Sequence, residues 1–187
     1  MTLLEMKKKV LGLIEELNPN SEVLTDDPDI ETKINDVINQ VMFELARMKK
    51  IPRYIEIDVT EGEMIDYKRI AEECDSTVYQ INLVDGVEYE YKAQGTVIKV
   101  LESGKMGIDF FIYPERITEK TKDKGYEFEL SDDALEIMPY GVAADLLKSD
   151  VSTEYGTIYA TRYETMKQQL DPRYNMGSIT IEGGVFI

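Results

Sequence analysis

Histidine and tryptophan are absent from this 187-residue chain, and cysteine occurs once. Without histidine there can be no Ser-His or Cys-His catalytic pair and no imidazole ligand for zinc. Cys74 alone can form neither an intramolecular disulfide nor a cysteine cluster. The acids around it in Ala71-Glu72-Glu73-Cys74-Asp75 disfavour a thiolate, so it reads as a small, partly buried side chain. No run of 18 apolar residues suggests a membrane span. Lys7-Lys8-Lys9 breaks any apolar core near the N-terminus, so no signal-peptide pattern is present and a soluble, intracellular product is expected. Glycine-rich phosphate loops of the G-x-x-x-x-G-K-[ST] or G-x-G-x-x-G kind are missing, as is G-x-S-x-G. Lysine, carboxylate and tyrosine chemistry remain open.

The chain carries 37 Asp and Glu against 21 Lys and Arg, a formal net charge of −16. Phosphate binding needs clustered basic residues, so this balance argues against a DNA-gripping or anionic-membrane-binding surface. Basic and acidic residues number three and three in 1–20, four and seven in 21–50, ten and eighteen in 51–131, and four and nine in 132–187. The acid is spread through the chain and is not a tail. It serves solubility or marks a surface that must not stick to nucleic acid. A chain of this length buries roughly 70% of its unfolded surface and needs no metal or disulfide staple. Its 43% hydrophobic content is inconsistent with wholesale disorder.

Thr2-Leu3-Leu4-Glu5 has the form of a capping box. Leu3, Met6, Val10, Leu13, Ile14 and Leu17 then recur at helical spacing, with Asn18-Pro19-Asn20 as the expected stop. A second helix starts at Asp27, a good N-cap, with Pro28 in the first turn. Ile30, Ile34, Val37, Ile38, Val41, Met42, Leu45 and Met48 form its apolar stripe. Asp29 and Glu31 sit at the positive end of its dipole, and Arg47, Lys49 and Lys50 at the negative end. Before Ile51-Pro52 it should span about 23 residues, roughly 34 Å.

The period then becomes two. In 53–59, Ile55, Ile57 and Val59 face one way and Glu56 and Asp58 the other. Residues 64–75 suit a short helix or turn. Strands follow at 78–84, 87–91, 96–101, 106–113 and 126–130. Asp85-Gly86 reads as a tight hairpin turn between the first two of these, with further turns at Gln94-Gly95 and Ser103-Gly104. About six short strands make a small antiparallel sheet, sandwich or open barrel. Ser131-Asp132-Asp133 begins a third helix, with Leu135, Met138, Val142 and Leu146 facing inward and a kink expected at Pro139. Asp150 or Ser152 could cap a fourth. Along it Tyr155, Tyr159, Tyr163, Met166 and Leu170 form a stripe, and the short connection predicts an antiparallel pair.

The fold class expected is α+β: a four-helix core from the two chain ends (1–52 and 131–172), an inserted β-rich lobe (53–130), and an extended C-terminal tail (173–187). The tail ends on Val185-Phe186-Ile187, after the alternating Ser178-Ile179-Thr180-Ile181-Glu182. Free termini are usually polar, so this segment reads as a strand seeking a sheet. It can pair within the chain or, as favoured here, add to the sheet edge of another subunit, with Ile179, Ile181, Val185, Phe186 and Ile187 as its anchors. Tyr155, Tyr159 and Tyr163 share one helix face and either pack on neighbouring helices or form a subunit interface.

Carboxylate pairs such as Asp132-Asp133, Glu72-Glu73 and Asp26-Asp27 follow from abundance, and adjacent residues point apart rather than across a cleft. Asp26-Asp27-Pro28-Asp29 lacks the ligand spacing of a calcium loop and reads as a helix cap. No catalytic, cofactor-binding or metal-ligating residue is identified, and the chain reads as a non-enzyme.

Three stretches carry a resemblance: the helix containing Asp29-Ile30-Glu31-Thr32-Lys33-Ile34-Asn35-Asp36-Val37-Ile38-Asn39-Gln40; Ile137-Met138-Pro139-Tyr140-Gly141-Val142-Ala143-Ala144-Asp145-Leu146-Leu147, with the helix bearing Tyr155, Tyr159, Arg162, Tyr163 and Met166; and the apolar tail. Together they resemble the head–tail connector, or adaptor, proteins of tailed bacteriophages, over about half of the chain. The β-lobe is similar to an insertion in larger members. The resemblance implies a structural virion protein at the head–tail interface, assembled in the bacterial host cytoplasm. It implies a homo-oligomeric ring, typically a dodecamer, beneath the portal protein, with residues 178–187 reaching the portal. The next connector or tail protein would dock on the ring, and DNA would pass through without specific binding, past acid that partly lines the channel. Another virion part, such as a tail-completion or baseplate protein, is the alternative, and an enzyme or ligand-binding module is a third reading.

Overall fold

A computed structural model describes residues 1–19, 23–149 and 154–170. The chain is α+β. In order it forms α1 (Leu3–Leu13), α2 (Pro28–Met48), β1 (Ile51–Val59), β2 (Met64–Asp66), α3 (Tyr67–Cys74), β3 (Thr77–Asp85), β4 (Tyr89–Lys92), β5 (Val97–Val100), β6 (Gly104–Tyr113), α4 (Asp132–Leu146) and α5 (Tyr155–Gln169).

The helix starts follow their caps. The Thr2 hydroxyl accepts from the Glu5 amide at 3.2 Å, and the Glu5 carboxylate accepts from the Thr2 amide at 2.8 Å. Asp27 Oδ1 accepts from the amides of Asp29 (2.8 Å) and Ile30 (3.2 Å). The end of α1 departs from expectation. Leu17 lies beyond the helix, which stops at Leu13 because Glu15 takes a left-handed φ of 62°. The Glu16 amide then reaches the Leu11 carbonyl at 3.0 Å and closes the last turn, a glycine-type stop made without glycine.

The first sheet has the order β1-β6-β3, antiparallel throughout. Across its inner face Ile51, Ile55 and Ile57 stand opposite Ile112, Ile108 and Met106. On the other side Val78, Ile81 and Val84 stand opposite Ile112, Phe110 and Ile108. A spacing of three cannot keep one face of a regular strand. Register shifts between Val78 and Gln80 and between Ile81 and Leu83 insert the extra residues and return all three side chains to the core. The outer face is covered at one end by α2: Phe43 meets Tyr113 edge-on, the Arg47 Nε donates to the Tyr113 hydroxyl at 2.8 Å, and Lys50 lies 4.7 Å over the Phe111 ring.

The second sheet has the order β2-β5-β4 and buries Ile65, Ile98 and Val100. Helix α3, capped by Asp66, touches β2 of this sheet and β3 of the other, and buries Ile70. The turn at Gln94-Gly95 joins β4 to β5 as expected, with Gly95 at a φ of 87°. The hairpin expected at Asp85-Gly86 does not form. Gly86 does take a φ of 88°, but β3 pairs with β6 and β4 with β5. The apolar rows of β6 match those of β3, whereas β4 is short. At Gly86 the chain crosses close to β6, where a Cβ would sit 2.4 Å from the Lys105 carbonyl oxygen.

Residues 126–130 are likewise not a sheet strand. Tyr126, Phe128 and Leu130 are buried in alternation, as their pattern suggests, but their backbone meets the N-terminus. Leu3 N–H donates to the Tyr126 carbonyl (3.0 Å) and Phe128 N–H to the Met1 carbonyl (3.2 Å), with one bridge between Thr2 and Glu127. The ladder cannot extend because α1 begins at Leu3. The same connection, 114–131, is held to α2 by Asn39, which is 2% exposed. Its Nδ2 donates to the Ile117 carbonyl at 2.7 Å, and its Oδ1 accepts from the Ile117 amide at 2.9 Å.

Helix α4 is central, packing on α1, α2 and α5. It is apolar on most sides and runs through Pro139. A Cβ at Gly141 would meet the Tyr163 ring, and one at Gly156 would meet Leu147. These pairings run in opposite directions along α4 and α5, so the two helices are antiparallel. Residues 150 and 152, the expected caps of α5, lie outside the described residues; Glu154 occupies its N-cap position.

Replacing Asn39 with Leu leaves a buried amide and a buried carbonyl of Ile117 unpaired. Asn39→Leu is expected to lower unfolding stability by about 3 kcal/mol, read by urea denaturation with an unchanged m-value.

Candidate subunit-contact surface

The tyrosine stripe of α5 divides into three environments. Tyr163, 6% exposed, lies flat on Gly141 of α4. Its hydroxyl has no hydrogen-bond partner among the described residues. Lys167 lies 4.8 Å over the same ring and bridges to Glu44 of α2 at 2.7 Å and to Glu164. Tyr163 is therefore committed inside the chain and is not open to a neighbouring subunit. Tyr159 is half-buried. Its hydroxyl donates to the Leu13 carbonyl at 2.6 Å, tying α5 to the end of α1, and its ring lies 6.3 Å from that of Tyr140. Arg162 covers the other side of this group, 4.2 Å over the Tyr140 ring. Tyr155, stacked on Tyr159 at 6.4 Å, is 51% exposed.

Beside Tyr155 stands Ile158, 52% exposed, which the sequence reading missed. Its spacing of three from Tyr155 was the available signal. Further along the same side, the hydroxyls of Thr161 and Thr165 donate to the carbonyls of Thr157 (2.9 Å) and Thr161 (2.8 Å). Their polar groups are thus spent on the helix backbone. Ile158, Thr161 and Thr165 make an uncharged outer ridge in a chain that is 31% charged.

Tyr155 also borders an open groove of about 540 Å³ between the end of α1, the start of α2 and the end of α4. Its apolar wall is Leu13, Ile14, Ile30, Leu146 and Leu147, and its rim carries Glu15, Glu16, Asp27 and Asp29 with Lys33. Such a site suits an amphipathic segment of another protein, with apolar side chains seated in the wall and donors facing the rim. The tail residues Ile179, Ile181, Val185, Phe186 and Ile187 lie outside the described residues. The last described residue, Leu170, is 8% exposed and fixes where that segment departs.

The largest pKa displacements belong to tyrosines. Burial pushes Tyr91 up to about 12, helped by the neighbouring Tyr89. Burial raises Tyr126 and Tyr163 further, with Glu115 adding to the first and the Glu44 charge to the second. Tyr126 donates to the Glu115 carbonyl at 2.6 Å, so its neutral form is the one in use. Cys74 is half-buried, with Sγ 3.9 Å from the Ala71 carbonyl oxygen. Among the described residues no group of three or more Cys, Asp and Glu is placed to hold a metal ion, and no helix is long and apolar enough to cross a membrane.

Phenols that stay neutral in the folded chain ionise near pH 10 once unfolded. The unfolded state then holds fewer protons than the native one, so stability is complete below pH 10 and falls as pH rises above it. Thermal unfolding should therefore show a lower midpoint at pH 11 than at pH 8. Tyr163→Phe, which removes an unpartnered hydroxyl, should narrow that gap while leaving the pH 8 midpoint unchanged. Compared with known proteins, the chain matches no family model and no curated sequence.

Proposed function

We propose that this chain is the ring-forming subunit of a phage head–tail connector, seated beneath the portal and joining head to tail. The observation that carries the reading is Tyr155 beside Ile158, exposed on an uncharged ridge next to an apolar groove. An acidic protein approaches a second copy of itself with least repulsion where its surface is uncharged, and exposed aromatic and aliphatic side chains supply contact area there. The sequence resemblance supports the same reading through α2, through α4 with α5, and through the apolar segment 178–187.

In this reading the four helices of 1–52 and 131–172 build the ring frame and the β-rich part, 53–130, projects from it. Residues Ile179, Ile181, Val185, Phe186 and Ile187 fasten the tail to the portal by adding a strand to its sheet edge. The next connector or tail protein takes the opposite side of the ring. DNA passes through the channel, where like charge on wall and phosphate keeps it sliding rather than bound.

Native mass spectrometry and negative-stain imaging of the full chain, alone and with the portal protein, test the proposal. Closed rings, twelve-fold in the family pattern, are expected at least when portal is present, because docking can drive ring closure. A chain that stays monomeric with portal overturns it. Deleting residues 178–187 should abolish portal binding. Tyr155→Ala with Ile158→Ser should weaken ring formation without lowering the thermal midpoint, since both side chains lie on the surface.

A further inference from the structure

A second surface of the molecule has the opposite character. Lys120, Lys122 and Lys124 alternate along the exposed loop 118–125. The loop is held by its own bonds: the Thr118 amide donates to Thr121 Oγ1 (2.9 Å), and the amides of Gly125 and Tyr126 donate to the Lys122 carbonyl (3.0 and 3.1 Å). It is also fastened to α1. The Leu4 amide donates to the Asp123 carbonyl (3.0 Å), and Lys7 Nζ lies 2.9 Å from the Asp123 carboxylate. Lys8, exposed, is one helical turn beyond Leu4 and so lies on the same side of α1.

Nine of the 21 basic side chains sit in ion pairs among the described residues, Lys7, Lys33, Lys49, Arg53, Arg69 and Lys167 among them. Lys8, Lys120, Lys122 and Lys124 make none among the described residues. Near them Asp123 is taken by Lys7, and Glu115, Glu119 and Glu127 are exposed acids that make no ion pair with them among the described residues.

The complementary charge lies at the far end of the first sheet. Residues 51–113 hold six basic and thirteen acidic side chains. Glu56, Asp58 and Asp85 are exposed around Gly107 and Lys105, and make no ion pair among the described residues. Gly107 is six positions from Tyr113 along β6, roughly 20 Å. From Tyr113 the chain moves up α2 away from the sheet: Arg47 holds Tyr113, Met42 meets Tyr126 and Asn39 holds Ile117. The lysine loop and the acidic sheet end thus lie beyond opposite ends of β6.

We infer that Lys8, Lys120, Lys122 and Lys124 bind the acidic sheet end of a second copy of this chain, head to tail; the inference rests on the ring reading and names one contact within it. A contact between two different surfaces of the same chain propagates, and closes into a ring when the rotation allows. Duplex DNA fits the patch less well. A long polyanion would also meet the rest of a −16 body. A second copy can bring a short, local group of acids, Glu56, Asp58 and Asp85, to the lysines.

Sedimentation velocity of the full chain at about 50 mM and about 500 mM NaCl tests this, because salt screens exposed charges beyond roughly 10 Å at 0.1 M and more strongly above it. The wild-type chain should self-associate at low salt and lose at least tenfold in affinity at high salt. The reversal Lys8→Glu/Lys120→Glu/Lys122→Glu/Lys124→Glu should abolish low-salt association, as should Glu56→Lys/Asp58→Lys/Asp85→Lys. An equimolar mixture of the two variants should associate again, since each restores the other's complement. Unchanged circular dichroism shows that each variant folds, and a milder set of four Lys→Gln changes should give intermediate affinity. Association untouched by lysine reversal, or a mixture that stays monomeric, overturns the inference. So does lysine-dependent binding of a fluorescent DNA duplex with self-association unchanged. A wild-type chain monomeric at low salt also overturns it while leaving the ring reading intact, because that reading is decided with portal present.

Discussion

Two hydrogen bonds from one side chain decide how the chain returns from its sheets to its helices. After Tyr113 the backbone leaves β6 and must travel 18 residues before α4 begins at Asp132. An irregular stretch over a core carries peptide groups that water cannot reach, and each needs a partner. Asn39 meets both groups of Ile117, the amide and the carbonyl, and so fixes the stretch against the middle of α2. With Ile117 in place, the Tyr126 hydroxyl reaches the Glu115 carbonyl, and Tyr126, Phe128 and Leu130 enter the core. The N-terminus then pairs with 126–128 and Lys7 with Asp123, which sets the direction of α1. Lys49 meets Asp133 at 2.7 Å, and the first turn of α4 is placed on α2.

Much of this was legible in the sequence where the signal is local. The capping box at Thr2, the Asp27-Pro28 start, the alternation of 55–59, the short helix in 64–75 and the turn at Gly95 each depend on a few adjacent residues, and each is observed. The departures come where two local signals compete or where the partner is distant. Asp85-Gly86 has the right residues for a hairpin, but β6 offers β3 a longer apolar row than β4 does. The 126–130 segment alternates as a strand, yet among the described residues it pairs across the fold with just three residues of N-terminus. The stop at Glu15 could not be read, because a left-handed glutamate carries no sequence mark. Asn39 left a faint trace, a polar residue beside Ile38 and Met42 on the buried side of a helix, and its partner lies 78 positions away.

The contact surface was legible in type more than in membership. Periodicity placed Tyr155, Tyr159 and Tyr163 on one face, but it could not say how far the neighbouring helices reach along that face. Gly141 answers this for Tyr163: with no Cβ in the way, the ring closes on α4 and is lost to any outside partner. Toward the start of α5 no described element covers that face, and Tyr155 and Ile158 are exposed. The composition pointed to acid everywhere, and nine of the 21 basic side chains are paired with it among the described residues. What a net charge conceals is where the groups without an ion pair lie among the described residues: Lys8, Lys120, Lys122 and Lys124 around the loop 118–125, and Glu56, Asp58 and Asp85 at the far end of the first sheet. In the proposed head-to-tail contact that uneven charge would orient the copies even while their total charge repels them.

The central position of α4 adds a constraint that bears on assembly. Ala134, Leu135, Ile137, Met138, Val142 and Ala143 are all buried, so the helix has almost no side of its own to give to water. A helix that is apolar on most sides is stable only when enclosed, and its enclosure comes from α1 and α2 at one end of the chain and α5 at the other. Neither terminal part can complete this core without the other. The β-rich part between them is therefore held at both of its ends by one packed frame, and Leu170, buried on the same frame, holds the start of the C-terminal segment. Surfaces carried by the two sheets and the point of departure of the tail are thus set relative to one rigid element, the requirement for a subunit that must present several contacts at once.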